Sequence, residues 1–231
     1  EEFTTRVIRH LVTSPDEKTV VFNAVGYLWK KSLPNGTPVR LTKGTDFEFE
    51  PSFSPDGASI IYVSWNDVEL GALNKIALSG GKPTKLTSEK GIYRTPSYSP
   101  DGSKIVYIKE EGNDDQGFSF CKEAGIYYMN ATGGKSMFVG NLGEFPVFNA
   151  KGDRILFQTG GTFFGSLTKE LKSVDLNGRD EQTHIQSKYA NRLVPSPDNK
   201  WVAFSLLHKV YLAPIPPTGQ TLNIDNNTSA V

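Results

Sequence analysis

Few residues in this 231-residue chain could do covalent or metal chemistry, and none stands in a pattern that reaction centres use. The three histidines, His10, His184 and His208, are isolated from one another, with no HxH and no HExxH. A hydrolytic metal centre needs several imidazoles and carboxylates converging on one ion. Strand-end or surface histidines are the plainer reading. Cys121 is the sole cysteine, so no internal disulfide can form. Without a nearby His or Asp motif it reads as a small half-buried apolar residue rather than a nucleophile. The GxSxG elbow of serine hydrolases is absent, and Gly165-Ser166 lacks the rest of that pattern. Gly80-Gly81, Gly133-Gly134 and Gly160-Gly161 fall at strand turns or strand-edge loops, not ahead of helices, so no phosphate-binding loop is expected. No catalytic residue, metal ligand or cofactor is assigned.

Two long loops carry side chains suited to binding. Residues 109–124 hold Glu110, Glu111, Asn113, Asp114 and Asp115, followed by Phe118, Phe120 and Cys121. The carboxylates could attract a hard cation, but the alternating ligand spacing of an EF-hand loop is missing, and a solvated acidic loop is the simpler expectation. Residues 158–169 hold Phe163 and Phe164 among glycines. Exposed rings there could anchor an interface, because aromatic side chains dominate buried contacts between proteins. The bland alternative is a loop folding its rings onto its own sheet.

What positions these loops is an internal repeat. Ser14-Pro15-Asp16, Ser54-Pro55-Asp56-Gly57, Ser99-Pro100-Asp101-Gly102 and Ser196-Pro197-Asp198 share one turn, and Asn149-Ala150-Lys151-Gly152 is a degenerate copy. Their third positions, 16, 56, 101, 151 and 198, are spaced by 40, 45, 50 and 47 residues. That is the length of a four-stranded propeller blade. Proline presets φ, Asp and Ser can bond following amides, and the last position calls for a left-handed residue. Gly152 keeps that last position in the fourth turn. Asn199 tolerates the same conformation in the fifth, whereas Glu17 and Lys151 depart from the pattern. Each turn is followed by a β-branched and aromatic run, such as Ile60-Ile61-Tyr62-Val63 or Ile105-Val106-Tyr107-Ile108, too short between turns to be helical.

The expected fold is an all-β propeller of four-stranded antiparallel blades. It forms a single domain over 1–231, with blades near 1–45, 46–90, 91–142, 143–188 and 189–231. Residues 1–13 should supply the first strand of blade one, and Leu222–Ile224 the last strand of blade five. No strand is left over to clasp the ends. Five blades could close a small ring, but an arc of a six- or seven-bladed ring is the favoured expectation. The chain starts at Glu1 with no initiator methionine or signal segment, as expected either of a removed leader or of a piece of a longer protein, and the repeat count favours the second. The two loops follow the second strand of blades three and four. Together with Trp65-Asn66-Asp67 in blade two, they should share one rim. Candidate interface residues are therefore Trp65, Asp67, Phe118, Phe120, Phe163 and Phe164. The Ser-Pro-Asp turns should lie on the opposite rim.

Lysine plus arginine and aspartate plus glutamate are 25 each, a formal charge of zero, which gives no electrostatic reason to bind nucleic acid. No apolar run is long enough to insert in a bilayer as a helix. The Ser-Pro-Asp-Gly repeat resembles the Pro-Asp, WD40-like repeat of TolB-type propellers. Longer stretches, among them DFEFEPSFSPDGASIIYVSWND and GIYRTPSYSPDGSKIVYI, are similar to the propeller of bacterial amidohydrolase-related proteins. That resemblance implies a periplasmic or secreted protein, with a hydrolase domain elsewhere in the parent chain. The propeller would then be a non-catalytic scaffold, docking surface or substrate gate, with a protein partner or its own hydrolase domain on the rim. A stand-alone TolB-like binding module is the alternative. The repeats also resemble those of prolyl-oligopeptidase-like and tricorn-like peptidases.

Overall fold

The computed structural model describes residues 5, 7–113, 118–119, 121, 123–161, 167–206 and 208–225. Every repeat becomes an antiparallel sheet, because its apolar alternation has period two and its turns come every few residues. Blade one contains β1 (Arg9–Thr13), β2 (Thr19–Ala24), β3 (Tyr27–Ser32) and β4 (Val39–Arg40). Blade two contains β5 (Phe47–Phe53), β6 (Ser59–Asn66), β7 (Leu70–Ala77) and β8 (Thr84–Lys85). Blade three contains β9 (Ile92–Tyr98) and β10 (Lys104–Glu110), then a small ribbon of β11 (Gly112–Asn113) with β12 (Phe118–Ser119), then β13 (Gly125–Asn130) and β14 (Met137–Gly140). Blade four contains β15 (Glu144–Phe148), β16 (Arg154–Thr159), β17 (Lys169–Asp175) and β18 (Gln182–Ser187). The fifth blade has β19 (Leu193–Pro195), β20 (Trp201–Leu206) and β21 (Lys209–Pro214).

The expected closing strand, β22 (Leu222–Ile224), forms but does not join blade five. It pairs in parallel with β18 of blade four, Ile185 opposite Leu222 and Ser187 opposite Ile224. The reason lies in burial. On β18 the side chain of Ile224 is sealed into the cluster of Leu171, Ile185, Leu193 and Val202. The edge of blade five instead exposes Val210 and Leu212, at 77% and 62%. The intervening segment contains Pro216 and Pro217, which have no N–H to give to a hairpin ladder.

The chain divides into two compact units, Glu1–Phe138 and Val139–Val231. In the first, Val21 and Leu28 of blade one meet Ile60, Tyr62 and Ile76 of blade two. On the far side of blade two, Ile61, Val63 and Leu73 pack on Tyr93, Ile105, Tyr107 and Met129 of blade three. Each fully buried Ile or Leu contributes about 1.5–3 kcal/mol relative to exposure. The Leu-Thr pairs lie just beyond β4 and β8 and serve as buried anchors. Thr42 Oγ1 donates to Glu48 Oε2 at 2.7 Å, and Thr87 Oγ1 accepts from the Leu73 amide at 3.1 Å. In the second unit, Gln158 spans from blade four to blade five. Its Nε2 donates to the Leu193 carbonyl at 2.7 Å, and its Oε1 accepts the Leu193 amide at 3.0 Å.

A β-bulge interrupts the first strand of blades one to four. At each, one non-glycine residue is left-handed: His10, Glu50, Thr95 and Phe145, with φ between 47° and 52°. Such bulges increase local twist and re-aim side chains. At two of them the chain gains an ion-pair network. Glu50 accepts from Arg94 Nη2 at 2.7 Å and from the Thr95 amide at 2.5 Å, and Arg94 Nη1 also reaches Glu110 at 3.3 Å.

Candidate docking rim of blades two and three

Trp65 is the penultimate residue of β6, and its indole N–H donates to Asp67 Oδ1 at 3.0 Å. Asn66 Oδ1 accepts the amides of Val68 and Glu69, at 3.0 and 2.7 Å, which closes the β6–β7 turn and leaves Val68 76% exposed at its tip. Lys90, on the linker into blade three, donates to the Val68 carbonyl at 2.9 Å and pairs with Glu69 at 3.3 Å. The turn after the second strand of blade two therefore sits beside the start of blade three. Phe118 lies in the β11–β12 ribbon that follows the second strand of blade three. Phe120, Phe163 and Phe164 lie outside the described residues, as does the side chain of Phe118. Of the acidic loop, Glu110 is engaged by Arg94, while Asp114 and Asp115 are also outside the described residues.

A cleft of about 720 Å³ opens between the 87–90 linker and blade three. Its floor is Lys109, whose side chain is only 10% exposed. Register explains the placement. Lys109 of β10 stands opposite Tyr93 of β9, and Tyr107 stands opposite Tyr127 of β13, so all four share the face turned to blade two. The Lys109 ammonium lies 5.2 Å from the Tyr127 ring centroid and 5.9 Å from that of Tyr93. It donates to Glu89 Oε2 at 2.5 Å. That bond and the adjacent positive charge hold the Glu89 carboxyl below its usual range. The tyrosine hydroxyls are tied down by Glu89 O (Tyr93), Ser136 Oγ (Tyr107) and Glu123 O (Tyr127). Burial pushes the phenols of Tyr107 and Tyr127 up to about 12, so they remain neutral donors at physiological pH. Lys90, Glu123 and Lys135 stand at the cleft mouth.

The repeated turns occupy the other end of the same strands. Ser14, Ser54, Ser99 and Ser196 each donate to the Asp two residues on, at 2.5–2.6 Å. Each Asp then accepts an amide two residues further, at 3.0–3.1 Å. In the degenerate turn Asn149 Oδ1 replaces the serine as acceptor for Arg154 N, at 3.1 Å. Gly57, Gly102 and Gly152 are left-handed, and so are Glu17 and Asn199 in the equivalent positions. Pro15, Pro55 and Pro100 keep their places in the first three turns, and Pro197 in the fifth. These residues build hairpins; nothing in their geometry is suited to catalysis.

Among the described residues, no three His, Cys, Asp or Glu side chains converge as a metal site. His184 Nε2 is 2.8 Å from Ser173 Oγ, and burial together with the Arg154 charge lowers its pKa, so it is a neutral strand-side group. Cys121 Sγ donates to the Glu123 carbonyl at 2.9 Å. Among the described residues, no helix is long and apolar enough to cross a membrane. Sequence reasoning singled out Trp65 and Asp67 but missed Lys109 and Glu89. The available signal was a lysine following the strand run Ile105–Ile108, at a position where blade two has a serine.

The fold matches that of a protein described as TolB from Agrobacterium tumefaciens, with a TM-score of 0.69 and 21% identity over 86% of this chain and 69% of that one. TolB from Acinetobacter baumannii gives a TM-score of 0.65 and 20% identity, covering 89% of this chain and 51% of that one. An oligogalacturonate lyase from Vibrio parahaemolyticus gives 0.67 and 11% identity, over 93% and 64%. At these identities the likeness concerns the fold. The chain spans about half of the Acinetobacter protein and under two thirds of the lyase. A search of curated protein sequences finds no match. The sequence profile of the TolB beta propeller domain matches residues 13–192, from the first Ser-Pro-Asp turn to the threshold of the fifth blade. With that profile over most of its length and five propeller sheets, the chain belongs to the TolB β-propeller domain family.

Proposed function

We propose that the chain is a non-catalytic docking propeller, acting through the rim formed by the β6–β7 turn and the neighbouring cleft of blade three. The observation that carries this reading is the cleft: a cavity of about 720 Å³ lined by Glu89, Lys90, Lys109, Glu123 and Lys135. Partners would be proteins, either a separate chain or a hydrolase domain of an amidohydrolase-like parent, in the periplasm or outside the cell. The family match equally supports a stand-alone TolB-like binding module.

A photo-crosslinking residue at Val68, on the rim, is compared with one at Ala58, in the Ser-Pro-Asp turn at the other end of blade two. Covalent adducts to a discrete protein from Val68 and not from Ala58 are expected. Equal yields from both would sink the docking rim. Reading the coding sequence on either side separates the two versions: an HxH-bearing barrel supports the amidohydrolase parent, and a stop codon directly after the last blade supports the stand-alone module.

A further inference from the structure

The docking reading leaves open what the cleft recognises, and Lys109 narrows it. The lysine side chain is only 10% exposed among tyrosines, yet Lys109 lines the cavity and its ammonium meets the solvent-exposed Glu89. An ammonium has three donors, and the bond to Glu89 uses one. Glu89 is an unusual partner for so buried a cation. Its backbone is fixed, since its carbonyl accepts the Tyr93 hydroxyl at 2.8 Å, but its side chain is 72% exposed. The carboxylate thus approaches Lys109 from the solvent side and can swing away without disturbing the linker. Lys90, Lys109 and Lys135 line the cleft with Glu89 and Glu123; Lys90 is engaged by Glu69 outside it, at 3.3 Å, which leaves Lys109 as the cation that Glu89 holds. Turning Glu89 out to water leaves the Lys109 ammonium without its carboxylate, in a cleft that Ser88 and Ser136 also line.

We propose that this cleft is a carboxylate-binding site, in which an acidic side chain or a C-terminal carboxylate of a docked peptide displaces Glu89 and takes its place on Lys109. The assignment rests on the docking reading and adds the chemistry of the recognised group. Carboxylate is favoured over phosphate because the structure seats a carboxylate on a single ammonium, and the described lining residues include no arginine whose guanidinium fork could hold a third oxygen. Glu89 then acts as an internal competitor that keeps the buried charge paired when no partner is present, since an unpaired buried charge is costly.

The test is an NMR titration of the whole chain, following the amide signals of Gly134 and its neighbours. Three tripeptides are compared: acetyl-Ala-Glu-Ala-amide, acetyl-Ala-Ala-Ala with a free C-terminus, and acetyl-Ala-Gln-Ala-amide. Saturable binding of one or both acidic peptides, and not of the third, is expected, and which of them binds identifies the source of the carboxylate. Glu89→Gln removes the competitor and should tighten binding roughly tenfold, the effect of one charge-assisted hydrogen bond. Lys109→Met, which keeps the apolar stem, should abolish it. If Lys109→Met does not fold, the Glu89→Gln comparison decides alone. Equal binding of the neutral peptide, no gain in Glu89→Gln, or binding of inorganic phosphate as tight as that of the peptides would each overturn the proposal. A partner that still crosslinks from Val68 while neither acidic peptide binds would sink the carboxylate assignment and leave the docking rim standing.

Discussion

Gly102 of blade three rests on Pro55 of blade two: a Cβ at that glycine would lie 3.5 Å from the proline Cδ. Gly57 stands in the same relation to Pro15, at 3.4 Å. The turn of one blade is thus fitted to the turn before it, and the glycines are also left-handed, at φ +72° and +70°. Gly102→Ala should cost about 1 kcal/mol, chiefly from backbone strain. Glu17 holds the same conformation with a side chain, at φ 59°. Glu17→Gly should therefore be neutral or stabilising, by up to about 1 kcal/mol. Urea denaturation of both variants checks the opposite signs.

The serine-aspartate turns make a specific prediction for acid. Asp16, Asp56, Asp101 and Asp198 are all held below the usual aspartate value of 3.8, first by the serine hydroxyl and then by a backbone amide. A carboxyl with a depressed folded pKa stabilises fully above its unfolded value, and that stability drains away as pH falls through the folded value. Stability should be flat with respect to these groups above about pH 5 and decline below about pH 4. Ser99→Ala should shrink the decline, as read from thermal midpoints between pH 2 and 5.

Glu48 has the opposite sign. It is buried, and desolvation raises its carboxyl above the ordinary value in spite of hydrogen bonds from Thr42 and the Leu28 amide. Its contribution is favourable below the unfolded pKa and is lost as pH rises through the folded one. Glu48→Gln keeps an acceptor for Thr42 and Leu28 without the buried charge. The variant should melt higher than the parent at pH 7 and show no advantage at pH 4.

Gln158→Leu should be among the most damaging single changes in the second unit. It would leave the amide and carbonyl of Leu193 buried without partners, each worth about 1–3 kcal/mol. A loss of about 3 kcal/mol is expected from guanidinium denaturation, against a much smaller loss for Gln158→Asn with a bridging water.

Because β22 lies on blade four, β21 is left as the edge of blade five, with Val210 and Leu212 exposed. Open apolar edges invite strand pairing between molecules. Val210→Lys with Leu212→Lys should reduce concentration-dependent association in light scattering while leaving the melting temperature within a few degrees. Unchanged association would show that the edge is not the sticky surface.

The turns were legible in the sequence because each is specified locally: serine, proline, aspartate and a left-handed residue suffice within four positions. Even Glu17 fell into line, since the flanking strands impose the turn on a residue that resists it. The bulges at His10, Glu50, Thr95 and Phe145 were not legible. None is glycine, and the left-handed φ comes from the twist each sheet must take rather than from the residue itself. Trp65 and Asp67 could be picked out as the residues where the second strand of blade two runs into its turn. Lys109 and Glu89 could not, because their pairing joins residues twenty apart and depends on the register of β9 against β10. The partner of β22 was misjudged for a related reason: a three-residue strand carries almost no register information, and burial of Ile224 decided where it went.

That same strand sets the order in which the second unit can be completed. Residues 222–224 pair with 185–187, so blade four is finished only after the whole of blade five has been synthesised. Closing a contact over so long a stretch costs loop entropy before it is rewarded, and such contacts form late. During synthesis, blade four would wait with β18 uncovered while blade five folds beside it. Under tension applied from residue 225, the first rupture would fall on blade four, with the intervening blade released as slack rather than peeled strand by strand.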